Sequence, residues 1–429
     1  MNKLKSIVNQ FYSNNVISES VNISGRILLI IVFALISFTI TFVSYVENPT
    51  GDEHRYLEFA NNLTHGFYTV SSNINLWNGP GYPLFLAFFK LIGFQKLHLA
   101  LLNPLLLTLT LFNLMRTVGI HHSNRFAIVV GVLFCLYVPM YSFLPKLLTE
   151  ILTLYIITSL TYHIYKYTTN KKKKDLVLFG FYLGFLVLVK IIFWYVLIGV
   201  IIISILYFLI RKNSSLIISS GIAIIIVLPY LFYTYGLTSK VGYIGNSGGL
   251  SLYWMSTPYE KEYGDWHNYT FNDHQKLKNS DVIRSNHEED YSRILKLNSI
   301  QRDQEFKKVA KKNIINNPLK YAKNISMNLG RLLLDSPKSY YYENGGFMKY
   351  FQNLFLFVIF LFIVGVNLLK WKRLVLTNAL PLIIISLYLG LSLLVSSYAR
   401  MFIVCVPVIL LSLSYCTKSI LKIDITFRN

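Results

Sequence analysis

The sequence predicts an all-α polytopic membrane protein with about ten transmembrane helices, and three observations predict it. Apolar residues make up 54% of the 429 positions and charged residues 14%, with a mean hydropathy of +0.47, a balance too greasy for a soluble chain of this length. The apolar residues come in runs of roughly 18–23, long enough to cross a bilayer as helices, and backbone groups in hydrocarbon must be paired within the segment. The basic residues of the shorter connections fall in alternate connections and so on one side, as the positive-inside rule requires.

Taken in order, the spans fall at 26–46, 98–118, 125–144, 147–167, 175–189, 192–210, 214–236, 348–369, 374–396 and 400–418. The first run begins near Arg26, lacks a small-residue cleavage site and is expected to remain as a helix. The apolar stretch 175–210 is divided at Lys190, because a single helix of that length would overshoot a bilayer of about 30 Å. With that division Lys171 to Lys174, Arg211 with Lys212, and Lys370, Lys372 with Arg373 share one face. The rule makes that face, and both termini, cytoplasmic, and a multi-pass chain with membrane lipids as its solvent is expected in the cytoplasmic (inner) membrane.

Residues 1–236 then form an N-terminal transmembrane module, 237–347 a long external loop, and 348–429 the C-terminal helices. The first external loop, 47–97, holds two short apolar stretches. Tyr56, Phe59, Ala60 and Leu63 recur at helical spacing within 53–65, and Tyr82 to Phe94 follows a Pro80-Gly81-Tyr82-Pro83 turn and is too short to span. Both are expected to lie along the membrane interface as helices. In the long loop, Phe306, Val309, Ala310 and Ile314 predict a helical stretch over 299–333.

Several function classes are excluded. The formal charge of +21 is not interleaved with a nucleic-acid-binding module, so no nucleic acid partner is expected. Cys135, Cys405 and Cys416 all lie in apolar runs and imply no disulfide framework. His54, His65 and His121-His122 lack the spacing of a metal site. No phosphate-binding loop, dinucleotide fingerprint or serine-nucleophile motif occurs.

The informative polar cluster is Gly51-Asp52-Glu53-His54-Arg55-Tyr56, just past the first span. Adjacent residues on a helix diverge by about 100°, so at most one of Asp52 and Glu53 points squarely into a site. Capping of the helix that begins there is the structural alternative for both carboxylates. Lys190 and Arg400 are cations flanked by apolar sequence on the same side, which marks them as functional candidates, with snorkelling to headgroups as the alternative. Glu150 enters the fourth span beside them.

At these residues the chain resembles a family. Asp52-Glu53-His54-Arg55-Tyr56, then Ala60, Leu63, Gly66 and Tyr68, then Gly79-Pro80-Gly81-Tyr82-Pro83 with Leu86-Ala87, is similar to the first external loop of GT-C-fold membrane glycosyltransferases. That group includes bacterial relatives of the protein O-mannosyltransferases and the lipid A aminoarabinose transferase. Leu148-Thr149-Glu150, Gly184-Phe185 with Lys190, Gly248 to Tyr253, Asn317-Pro318-Leu319-Lys320-Tyr321 and Tyr398-Ala399-Arg400 follow in order, so the resemblance covers most of the chain.

The resemblance implies transfer of a sugar from a polyprenyl-phosphate carrier to an acceptor hydroxyl on the external face, with inversion at the anomeric carbon. The acceptor class stays open among a lipid-linked glycan, a lipid and a protein. Such chemistry needs a base for the hydroxyl and positive charge for the departing phosphate. Asp52 takes the base role. Glu53, the second catalytic candidate, would orient the acceptor or hold a divalent metal if one is used, and no other cofactor is implied. Arg55, Lys190 and Arg400 are assigned to the donor phosphate. His54, Tyr56, Trp77, Tyr82 and Glu150 are candidate substrate contacts, with Trp77 and Tyr82 placed to stack on a sugar face. Two other classes are weighed against this reading: a lipid-linked-sugar flippase or transporter, and a polysaccharide polymerase or ligase. The halves of the chain show no obvious repeat and the acidic residues gather outside the spans, which disfavours the transporter.

Overall fold

The structure, a computed structural model, describes residues 24–267, 280–340, 346–369 and 376–420, and every regular element among them is helical. Among the described residues six segments are long and apolar enough to cross a membrane: α1 (Ser24–Val43), the pair α4 (Lys96–Ala100) and α5 (Leu102–His121), α9 (Phe193–Arg211), α10 (Ser215–Thr238), α15 (Gly346–Leu369) and the stretch Ala399–Lys418. The protein is an all-α, multi-pass membrane protein. α7 (Thr149–Asn170) and α8 (Lys173–Val189) lie inside this bundle, and α7 is buried along most of its length. Three of its buried threonines are satisfied within the helix: the hydroxyls of Thr153, Thr158 and Thr161 each donate to the carbonyl four residues back.

Two expected spans are broken. The helix expected over 125–144 is α6 (Asn124–Cys135), after which the chain enters 3-10 turns at Val138–Phe143 with Pro139 in their first turn. Proline has no N–H to donate and disfavours helix at the residue before it, so α6 ends short. The span expected over 400–418 begins as 3-10 turns at Ala399–Cys405 and becomes α17 (Val406–Tyr415) only at Pro407, which occupies the first turn where an N–H is not needed. The stretch 175–210 does divide: α8 stops at Val189, Lys190 is extended (φ −132°, ψ 109°), and α9 starts at Phe193. The span expected over 374–396 is α16 (Leu376–Leu394), and the basic residues Lys370, Lys372 and Arg373 lie outside the described residues.

In the first loop, α2 (Asp52–Thr64) buries Tyr56, Phe59 and Ala60, and α3 (Gly81–Leu91) buries Tyr82, Leu86 and Ala87. Leu84, Phe88 and Leu91 remain exposed on the opposite side of α3, an apolar face suited to lipid. Beyond α10, the helices α11 (Gly248–Met255), α12 (Ser280–Ile294) and α13 (Ser299–Asn316) surround a separate small core of Leu250, Tyr253, Trp254, Phe306 and Tyr340, and α14 (Pro318–Leu334) packs Leu332 and Leu333 into the main core. The single helical stretch expected over 299–333 is two helices, because Pro318 starts a new one after Asn317.

α8 and α10 approach closely: a Cβ on Gly180 would lie 2.5 Å from the Ser219 carbonyl oxygen and one on Gly184 2.6 Å from that of Ala223. Close backbone approach through small residues is what holds helices together where burial in lipid supplies no driving force. Gly184→Leu is therefore expected to force the pair apart and lower stability by roughly 1–3 kcal/mol, read as an earlier thermal transition in detergent; an unchanged melt would show that the contact is slack.

Candidate active site

The polar cluster is built from four stretches of chain that are distant in sequence. α2 begins at Asp52, directly after Gly51 turns the chain with φ at 57°. One carboxylate oxygen of Asp52 accepts from Arg55 Nη2 at 2.8 Å, a contact that the one-turn spacing of a helix provides. The other accepts from Arg400 Nη2 at 2.7 Å, across 348 positions of sequence. Arg400 Nε in turn lies 3.9 Å from Glu150 Oε1, and Lys190 Nζ lies 3.2 Å from the same oxygen. Glu150 stands in the first turn of α7, where the helix dipole favours a negative charge, and Lys190 caps α8. Three cations and two carboxylates thus converge.

Glycine contacts set their register. A Cβ on Gly79 would lie 2.1 Å from the Leu188 carbonyl oxygen, and one on Gly81 2.7 Å from Val189 N, so the Gly79-Pro80-Gly81 turn rests on the last residues of α8. The turn also presents Asn78, whose Oδ1 accepts from Arg55 Nε at 2.5 Å and whose Nδ2 donates to the Tyr56 hydroxyl at 3.0 Å. The Asn78 carbonyl accepts from the Tyr68 hydroxyl at 2.7 Å. The Arg55 guanidinium carbon lies 5.6 Å from the centre of the half-buried Trp77 ring, within cation–π reach.

Asp52 keeps 27% side-chain exposure. Burial raises its carboxyl, but the charges and hydrogen bonds of Arg400 and Arg55 outweigh that and hold it below its ordinary value.

The other sequence candidates take varied positions. Glu53 faces away from Asp52, as the helix geometry requires. Its Oε1 accepts from Leu147 N at 2.9 Å and its Oε2 from the Thr50 amide and hydroxyl, both at 3.0 Å, while Lys96 stands 3.9 Å off. Asn103 fixes the same segment by donating to the carbonyls of Leu144 and Lys146. With both oxygens engaged by N–H and O–H donors, Glu53 has no free pair of lone-pair directions for a divalent metal, and its placement is that of an anchor between α2 and the entry of α7. Tyr82 is 1% exposed and packs edge-on against Tyr56 at 5.1 Å, so it supports the site from behind and offers no face to a sugar. Tyr56 is buried beside it, and His54 is exposed.

Sequence reasoning missed Asn78 and Asn328. The signal for Asn78 was a polar residue directly before the Gly-Pro-Gly turn. Asn328, on α14, had none: its Nδ2 donates to the carbonyls of Ser392, Leu393 and Val395, and its Oδ1 accepts from the backbone and hydroxyl of Ser397. It thereby fixes the chain that delivers Arg400.

No protein-family profile matches the chain, and no curated protein does. Solved structures do resemble it. The S. cerevisiae protein O-mannosyltransferase Pmt1-Pmt2 complex bound to the sugar donor is similar at TM-score 0.38 and 18% identity, over 54% of this chain and 36% of that one. The chain therefore spans well under two thirds of that protein. ArnT from Cupriavidus metallidurans bound to undecaprenyl phosphate is similar at TM-score 0.41 and 11% identity, over 88% of this chain and 77% of that one. Its apo state gives 0.40 and 12%, over 87% and 76%. At these levels of likeness the side chains of the cluster carry the functional reading.

Two outcomes follow from the contacts. Glu53→Ala leaves the buried Leu147 amide, and with it the amide and hydroxyl of the exposed Thr50, without their acceptor, which is expected to cost about 2–3 kcal/mol in a denaturation experiment. The pairs of Asp52 contribute fully above its ordinary value of about 3.9 and are lost as pH falls through its lowered value. Acidification below about pH 4 should therefore lower the melting temperature of the wild type, and Asp52→Asn should make that dependence shallower.

Proposed function

We propose that the chain is an inverting glycosyltransferase of the GT-C kind, which moves a sugar from a polyprenyl-phosphate carrier to an acceptor hydroxyl on the external face of the cytoplasmic membrane. The observation that carries this reading is the convergence of Asp52 with Arg55, Arg400 and Lys190 beside interfacial helices, so that a base and a phosphate cradle share one place. A lipid-linked donor would enter from the membrane, with its phosphate at the guanidinium forks of Arg55 and Arg400 and the ammonium of Lys190.

In the reaction the bond between the anomeric carbon and the phosphate oxygen breaks, and its electron pair stays on the phosphate, where the three cations stabilise the growing charge. The acceptor oxygen bonds to the anomeric carbon from the opposite side, and its proton passes to Asp52. Free of ligand, Asp52 is a poor base because Arg400 and Arg55 hold it acidic. A bound phosphate draws on the same guanidiniums, and the carboxylate regains basicity as the donor seats. Trp77, half-buried beside Arg55 and edge-on to Trp266, is the aromatic candidate for a sugar contact, and the acceptor is a lipid-linked glycan, a lipid or a protein.

Asp52→Asn tests this reading. Incubated with polyprenyl-phosphate sugars and membrane acceptors, the variant should lose about 10²–10⁴-fold in transfer, followed by mass spectrometry of the glycan products, with its helical content retained and its melting temperature at neutral pH lowered toward that of the acidified wild type. Transfer at the wild-type rate would remove Asp52 from the base role, and uptake of lipid-linked sugar into vesicles without any transfer would indicate a transporter.

A further inference from the structure

Lys190 and Arg400 already have an anion of their own. Glu150 is 3% exposed in its side chain, and its Oε1 faces both cations at 3.2 and 3.9 Å. Its second oxygen, Oε2, is buried without a hydrogen-bond partner among the described residues. Lys190 and Arg400 are therefore the groups that neutralise this carboxylate, and any phosphate that engages them competes with it. Formal charge makes the competition selective. Arg55, Lys190 and Arg400 against Asp52 and Glu150 leave one net positive charge, and the nearby Lys96 and Glu53 cancel.

We propose that Glu150 is a resident counter-anion, which restricts the cradle to a singly charged phosphodiester donor and helps expel the doubly charged phosphate monoester left after transfer. The inference rests on the lipid-phosphate reading given above. A sugar phosphodiester, with one negative charge, brings the cluster to neutrality. Transfer itself leaves the total unchanged, because Asp52 holds the acceptor proton. Once that proton passes to water, the spent carrier phosphate, with a charge of about −1.5 to −2 at pH 7, leaves an excess of negative charge beside a carboxylate that cannot turn to water. Glu150 acts through Lys190 and Arg400, so it is a specificity and positioning residue. The same count disfavours carriers linked through a pyrophosphate.

The test is binding of undecaprenyl phosphate to the purified protein in nanodiscs, measured by native mass spectrometry at pH 8 and pH 5. Glu150→Gln keeps the shape of the side chain and removes its charge. At pH 8, where the probe is a dianion, the variant should bind on the order of tenfold more tightly than wild type, and at pH 5, where the probe carries one charge, the gain should shrink. In transfer assays kcat and KM should fall together as release slows. Glu150→Asp, which draws the carboxylate back by one methylene, should tighten binding in the same direction by less, and it carries the test if the glutamine variant does not fold. Unchanged or weaker binding in the folded variants, or a gain equal at both pH values, would overturn the role of Glu150. Failure of the wild type itself to bind undecaprenyl phosphate would instead overturn the lipid-phosphate reading.

Discussion

The bond between Asp52 and Arg400 is the constraint on which the arrangement of the cluster depends, because it ties the first loop to the last apolar segment across 348 positions. Each group is a charge at the edge of an apolar bundle, and either one alone would be costly to desolvate. Together with Arg55, Lys190 and Glu150 they form a chain of alternating charge in which every cation has a carboxylate within 4 Å. Breaking such a set by removing one member is expensive, whereas its contribution to net stability is small. A charged assembly of this kind is better explained by what it binds than by what it stabilises.

Most of the surrounding structure holds the members of that set in place. Gly79 and Gly81 let the first loop touch the backbone at the end of α8, which brings Asn78 and Arg55 to the side where Lys190 emerges. Glu53 and Asn103 fix the turn before α7, and with it Glu150. Asn328 fixes the stretch before Arg400, and the fully buried Arg331 links Asn328 to the carbonyls of Tyr263 and Pro337. Asp265 then accepts from the amides of Ser339 and Tyr340. The long loop between α10 and α15 is thus bonded to the segment that carries the cation.

Part of this was legible in the residues. Apolar run length gives the helical class, and Lys190 marks the division of 175–210, because a cation within a stretch too long for one helix has to sit at an end. The spacing of Tyr56, Phe59 and Ala60 gives α2 its buried face. Other features were not legible. Run length alone does not reveal that Pro139 and Pro407 turn two expected spans into shorter helices preceded or followed by 3-10 turns, since hydropathy counts side chains and proline acts through the backbone. The sequence ranks Tyr82 with Trp77 as a ring free to stack, and packing separates them: one ring is closed against Tyr56, the other lies under Arg55.

By itself the sequence determined the all-α membrane class, the helical first loop and the identities of the charged residues, because these follow from composition and from periodicity along a few turns. Only the tertiary structure decided which charges meet. It gave Asp52 to Arg55 and Arg400, Glu150 to Lys190, and Glu53 to a backbone amide. Those partners are set by the closure of the bundle and by glycine contacts between distant segments, and pairing at such separations leaves no mark in local spacing.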